Sequence, residues 1–144
     1  MNAKELLRSA KVEVAAETFA LVGMTQEQLL ALLGDNALSP RMSAPFMIFM
    51  DSHEVTLILD EIDLANMRPG LSGAKIENGY RMLTFDIVLE LSVVGFMAEV
   101  SRILADAHIP ILPVSAYSRD HLLVRQTDLP SALKALSGHV LELC

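Results

Sequence analysis

The chain has 144 residues, 52% of them hydrophobic and 20% charged, with a formal net charge of -7. That apolar content supports a packed core and excludes a disordered chain, and the length suits one ordinary domain or two very small ones. The negative charge repels phosphate backbones and anionic lipid surfaces, so neither nucleic acid nor a membrane is expected as a partner.

The opening segment MNAKELLRSAKVEV lacks an apolar h-region and a small-residue cleavage site; a short helix over Ala3 to Ser9 is expected instead. VEVAAETFALV alternates like a strand, but Val12, Val14 and Ala16 share one face while Phe19 and Leu21 continue on the other. This predicts a bulge or bend near Ala16-Glu17. TQEQLLALLG reads as a helix, with Thr25 and Gln28 at capping-box spacing, Met24 and Leu29 as a hydrophobic staple, and Gly34 at the C′ position. A loop, DNALSPRMSAP, leads to the strands FMIFM and VTLILD, joined at Asp51-Ser52-His53. Leu64 and Met67 suit a brief helical turn before Pro69-Gly70; AKIEN reads as a strand, and Asn78-Gly79 as a hairpin turn.

RMLTFDIVL alternates next, with Leu83, Phe85, Ile87 and Leu89 on one face. A helix is expected from about Val94 to His108, its stripe running from Val93 and Phe96 to Leu104 and Ala107, with Ser92 as N-cap and Pro110 as the stop. IPILPVSAY and DHLLVRQ read as strands with a turn at Tyr117 to Arg119. DLPSALKALSG is a helix with Pro130 in its first turn, and HVLEL a closing strand. The order is β-α-β-β-α-β twice, over residues 11–78 and, more clearly, 79–144. The expected fold is α+β: two ferredoxin-like units with antiparallel sheets and helices on one face.

This topology organises the Arg119-Asp120-His121 triplet. A right-handed crossover leaves the second unit's third strand beside its first, so Asp120 is expected near Ser92-Val93-Val94-Gly95 and the start of the long helix. Helix-terminal N–H groups suit a carboxylate, Asp120 suits an ammonium group, and Gly95 permits close approach. Together they match the two ends of a free amino acid. Strand alternation sends Arg119 and His121 to the opposite face from Asp120, which argues against an Arg-Asp-His catalytic cluster.

The stretches FDIVLELSVVGFMAEVSRILADAHIPILPVSAYSRDHLLV and DLPSALKAL resemble the ACT domain family of small-molecule-binding regulatory modules. The chain looks most like short bacterial proteins made of two such units, related to those of aspartate kinases and cytosolic arginine sensors. Gly95, Leu104-Ala105, Ala107, Ile109, Ile111, Val114-Ser115, Asp120 and Leu123-Val124 carry the match. The resemblance implies amino-acid binding at an interface between ACT units. It draws on the first strand–helix turn (Ser92, Val93, Val94, Gly95, Phe96) and on the strand 2–3 region (Ser115, Asp120). The sequence departs from the family at Val94 and Arg119, where threonine is common.

Other polar groups receive plainer readings. Asp51, Ser52, His53 and Glu54 collect at a hairpin tip rather than around a metal. Asp60, Glu61 and Asp63 are expected to cap a short helix and face solvent. His108 and His139 flank helix ends. Cys144 is the single cysteine, so neither an intrachain disulfide nor a cysteine-rich zinc site is possible, and no glycine-rich phosphate loop, nucleophile elbow or HExxH is present. The expectation is a cytoplasmic, homodimeric, non-catalytic amino-acid sensor with no cofactor and no metal. A structural or interaction module that has lost its ligand site is the alternative, and a small ferredoxin-like enzyme the third reading.

Overall fold

The computed structural model describes residues 1–144. In chain order the elements are α1 (Ala3–Ser9), β1 (Lys11–Val14), β2 (Phe19–Met24), α2 (Gln26–Leu33), β3 (Met47–Met50), β4 (Val55–Asp60), α3 (Glu61–Met67), β5 (Lys75–Asp86), α4 (Phe96–Asp106), β6 (Leu112–Ser115), β7 (Asp120–Arg125), α5 (Leu129–Leu136) and β8 (Glu142–Leu143). They form two compact units, Glu17–Tyr80 and Met1–Ala16 with Arg81–Cys144. The fold is α+β and each unit is ferredoxin-like.

In the unit 17–80 the strand order is β3-β4-β2-β5, with every pair antiparallel. Its core joins Val22, Met24 and Leu57 from the strands to Leu29, Leu32, Leu64 and Met67 from the helices. The expected capping box is present. Thr25 Oγ1 accepts the Gln28 N–H at 3.2 Å, and Gln28 Oε1 accepts the Thr25 N–H at 3.0 Å. Met24 and Leu29 are both buried in the same cluster, as a staple requires. Gly34 ends α2 with φ -82°, right-handed rather than left-handed.

Two local expectations change in this unit. Lys75–Asp86 is one strand without a hairpin. The β2–β5 register runs from Phe19↔Tyr80 to Leu21↔Glu77, so Asn78 and Gly79 together oppose Ala20. Gly79 alone takes a positive φ, 85°, where a two-residue type I′ turn needs two such residues; the signal marks a β-bulge. Second, Asp60 and Asp63 are 2% and 1% exposed rather than solvent-facing. Arg41 explains this: its guanidinium bonds both carboxylates, through Nη2 to Asp60 Oδ2 and through Nε to Asp63 Oδ1 at 2.8 Å. Asp60 still caps α3 by accepting the Asp63 N–H at 2.8 Å. At the β3–β4 hairpin tip, where the sequence placed it, the Asp51 carboxylate is taken up by its own turn. Its Oδ1 accepts the N–H groups of His53 at 2.7 Å and Glu54 at 2.8 Å, and these bonds, Glu54 first, hold the carboxyl below the usual carboxylate range.

In the other unit the order is β6-β7-β5-β1-β8. β1 runs antiparallel to the second half of β5, from Lys11↔Asp86 to Val14↔Leu83, and parallel to β8. The sequence grouped residues 11–16 with the first half of the chain. Their pairing groups them with Arg81–Cys144, and the change of phase at Ala16-Glu17 is where the chain passes from one unit to the other. β1 occupies the place beside β5 that the last strand of a ferredoxin-like unit ordinarily takes, and β8 lies outside it, which makes this sheet mixed. Leu83, Phe85, Leu122 and Val124 pack against Val100, Ile103 and Leu104 of α4 and Ala132 and Leu136 of α5, so the helices cover one face. Full burial of each of the Val, Leu, Ile and Phe side chains among them contributes about 1.5–3 kcal/mol.

α4 stops before Pro110 is reached. His108 sits at C′ in the left-handed region, φ 58°, its N–H bonded to Ala105 O and the Ile109 N–H bonded to Leu104 O. This is a Schellman motif with histidine in the place glycine usually takes.

Candidate ligand site at the start of the long helix

β5 ends at Asp86, earlier than the alternation to Leu89 suggests, and residues 87–95 form the connection to α4. The Leu89 N–H donates to Ser118 O at 2.7 Å, tying this connection to the β6–β7 turn. That turn is closed by the Ala116 N–H on Arg119 O at 2.9 Å. Asp120 therefore lies beside the 89–95 connection, across the sheet from residues far earlier in the chain.

Gly95, rather than Ser92, is the N-cap of α4. It is left-handed, φ 88°, and no side chain caps the helix. Only a residue without a Cβ takes this conformation cheaply, which explains glycine here. Phe96 opens the helix and is buried edge-on against Phe85, with ring centroids 5.7 Å apart and planes at 81°. That contact fixes the first turn over β5 and leaves its N–H groups without a side-chain acceptor.

Val93, Gly95, Phe96, Ser115 and Asp120 line one cavity of about 350 Å³. Ser115 and Asp120 are register partners, and Ser115 Oγ donates to Asp120 Oδ1 at 2.8 Å. Ser92 and Val94 are not in this cavity; with Val93 they line a neighbouring recess beside Met1 and Leu6. Sequence reasoning overlooked Leu89, Leu91, Met97 and Tyr117, which also line the cavity. Leu91, Val94 and Tyr117 are exposed apolar side chains in these two loops.

Arg119 also lines the cavity, but its guanidinium is held by β5. Its Nε donates to Asp86 Oδ1 at 2.8 Å, and this bond is the leading cause holding the Asp86 carboxyl below its ordinary range. His121 Nδ1 lies 2.8 Å from Thr84 Oγ1, and burial, opposed by the Asp120 charge, pushes its pKa down. Arg119 and His121 are thus engaged with β5 side chains, while Asp120 meets Ser115 at the cavity.

A two-unit ferredoxin-like protein with a helix start and a carboxylate at one cavity is the class that these features define. Residues 75–138 match the model of the ACT domain family. Solved structures share the fold over most of the chain. A protein of Agobacterium tumefaciens matches at TM-score 0.72 and 18% identity, covering 94% of this chain and 92% of its own. A Vibrio cholerae protein of unknown function, a possible transport protein, matches at TM-score 0.67 and 23% identity, with 93% of each chain covered. The ligand-free regulatory subunit of aspartate kinase from Thermus thermophilus matches at TM-score 0.64 and 12% identity, covering 90% of this chain and 96% of its own. No curated protein matches the sequence. No helix is long and apolar enough to cross a membrane.

Proposed function

We propose that the protein is a non-catalytic regulatory module that binds a free amino acid or a similar small zwitterion, and that it works in the cytoplasm as a homodimer. The observation that carries this reading is the shared cavity of Asp120 and the uncapped start of α4. Asp120 attracts the ligand ammonium, and the N–H groups after Gly95 donate to its carboxylate. Ser115 orients the Asp120 carboxylate. The exposed Leu91, Val94 and Tyr117 suit a second ACT unit closing over the ligand, so that binding stabilises an assembly. The match to the ACT domain family at 75–138 and the fold shared with an aspartate kinase regulatory subunit support a regulatory role.

A thermal-shift screen of free amino acids tests this. A ligand at 100 times its Kd stabilises by about 2.7 kcal/mol, a rise of roughly 5–10 °C in Tm for a domain of this size. Asp120→Ala should remove the response and keep a folded apo protein; an unchanged response takes Asp120 out of the site, and no response to any amino acid ends the reading. One observation favours the alternative of an interaction module without a ligand. The two positions where the family commonly has threonine, Val94 and Arg119, present no hydroxyl, and the Arg119 guanidinium is bound to Asp86.

A further inference from the structure

We propose that the recess between α1, α4 and the turn after α5 binds a phosphate-class dianion, either free phosphate or the terminal group of a small phosphate monoester. The site shares no residue with the amino-acid cavity and stands independently of that reading.

Lys4, Leu7, Arg8, Glu99, Arg102 and His139 line a recess of about 110 Å³, within one compact unit. Three of the chain's 11 Lys and Arg residues thus meet in one small space, on a protein of net charge -7. α1 stands outside the β-α-β-β-α-β set of its unit and is held by Leu7, which is 1% exposed in the core. Helical spacing puts Lys4, Leu7 and Arg8 on one stripe, so the anchored Leu7 brings both cations to the α4 side. Neither cation has a carboxylate within ion-pair distance; the ion pairs of the chain are those of Lys11, Arg41, Arg102 and Arg119. Two like charges at i,i+4 disfavour the helix by themselves, and a bound anion offsets that repulsion.

Glu99 is the one acid in the lining, and Arg102 already holds it. Its side chain is 13% exposed, and Arg102 bonds both of its oxygens, Nη2 to Oε1 at 2.7 Å and Nε to Oε2 at 3.3 Å. This pairing first, with smaller contributions from Lys4 and His139, keeps the Glu99 carboxyl below its ordinary range. Lys4 and His139 therefore act on the same spot. Arg102 Nη1 also bonds Asp106 Oδ2 at 3.1 Å, at the rim. The two carboxylates fix the guanidinium plane and leave one N–H on each Nη for a ligand. Left-handed Gly138, φ 85°, turns the chain after α5 and delivers His139 to the recess. Against Glu99 and Asp106 stand Lys4, Arg8, Arg102 and His139, so the recess stays positive.

Donors converge from three elements. That suits a tetrahedral oxyanion, which accepts from every side, better than a planar carboxylate, which one Arg fork satisfies. At about 30 Å³ per water, the recess has room for one such group and its hydration, not for an extended chain. The acidic surface around it repels long polyanions. A more open groove shares Lys4, Glu99 and Arg102 and continues past Asn2 and Ala98, where the organic part of a monoester fits.

The test is a titration of the full chain with inorganic phosphate at constant ionic strength, followed by amide chemical shifts, with sodium chloride as the reference. Phosphate should move the amides of residues 4–8, 99–102 and 138–140 on one saturable curve. Arg8→Gln changes an exposed side chain without an ion-pair partner; it should stay folded and weaken binding about tenfold, as one hydrogen bond to a charged group is lost. Lys75→Gln, an exposed cation of the other unit, should bind as the wild type does. No saturable shift, shifts that chloride reproduces, or an Arg8→Gln variant with wild-type affinity overturns the proposal. Glycerol 3-phosphate separates the two sources. Tighter binding than phosphate, with added shifts at Asn2 and Ala98, gives a monoester; equal or weaker binding gives the free ion.

Discussion

The two helices that follow the first strand of each unit begin in opposite ways. α2 starts at Thr25 with both arms of a capping box made, and Gln28 Nε2 adds a bond to Ser72 O at 2.7 Å. α4 starts at a left-handed glycine with no side-chain cap. A self-capped helix start has filled its own anion site. An uncapped one keeps N–H groups for another acceptor, at a stability cost that packing must offset. In α4 that packing is Phe96 on Phe85. The same fold used twice thus has one helix start closed for stability and one left open beside Asp120.

The largest way to break this contrast is Phe96→Ala, which should cost about 3–5 kcal/mol, read from denaturant midpoints, as a buried aromatic is lost. A loss under about 1 kcal/mol would show that something else holds the helix start. A matched pair sharpens it further. Gly95→Ala forces a Cβ into the left-handed region, and since its nearest neighbour would be Ala3 Cβ at 3.9 Å, backbone strain rather than crowding sets the cost, about 1–2 kcal/mol. It should also blunt any ligand response. Thr25→Ala should cost about 1 kcal/mol and leave that response unchanged; equal effects of the two on binding would erase the distinction.

The smallest effect is one of pH. The folded pKa of His121 lies below its ordinary 6.5, chiefly through burial, with Asp120 opposing and Arg119 reinforcing. A histidine depressed in this way binds fewer protons folded than unfolded. Its contribution is therefore complete above about pH 6.5 and is lost as pH falls through the folded value. Urea midpoints should drop on acidification in this range, and His121→Gln should flatten that part of the profile; an unchanged slope would mean other groups carry it.

Much of this was legible in local chemistry. The Thr25–Gln28 box, the α4 stripe and the sending of Arg119 and His121 away from Asp120 each follow from spacing along one element. The misreadings share another character. Asn78-Gly79 carries the same residues for a hairpin and for a bulge, and only the partner strand β2, some sixty residues away, distinguishes them. Asp60 and Asp63 look like solvent-facing caps until Arg41 folds back from a loop some twenty residues earlier. Ser92 has the right chemistry for an N-cap, but with Phe96 packed on Phe85 the cap falls three residues later, at Gly95.

By itself, then, the sequence determined the element order, the ferredoxin-like class and the convergence of Asp120 on the turn before α4, because period, caps and crossover handedness act locally or through general rules. Only the tertiary structure decided which unit β1 joins, since a four-residue strand pairs with whichever edge is offered and its own residues do not name that edge. It also decided that Ser92 and Val94 turn aside from the cavity while Leu89 and Tyr117 enter it, because loop paths are set by long-range hydrogen bonds such as Leu89 to Ser118 rather than by neighbours in the chain.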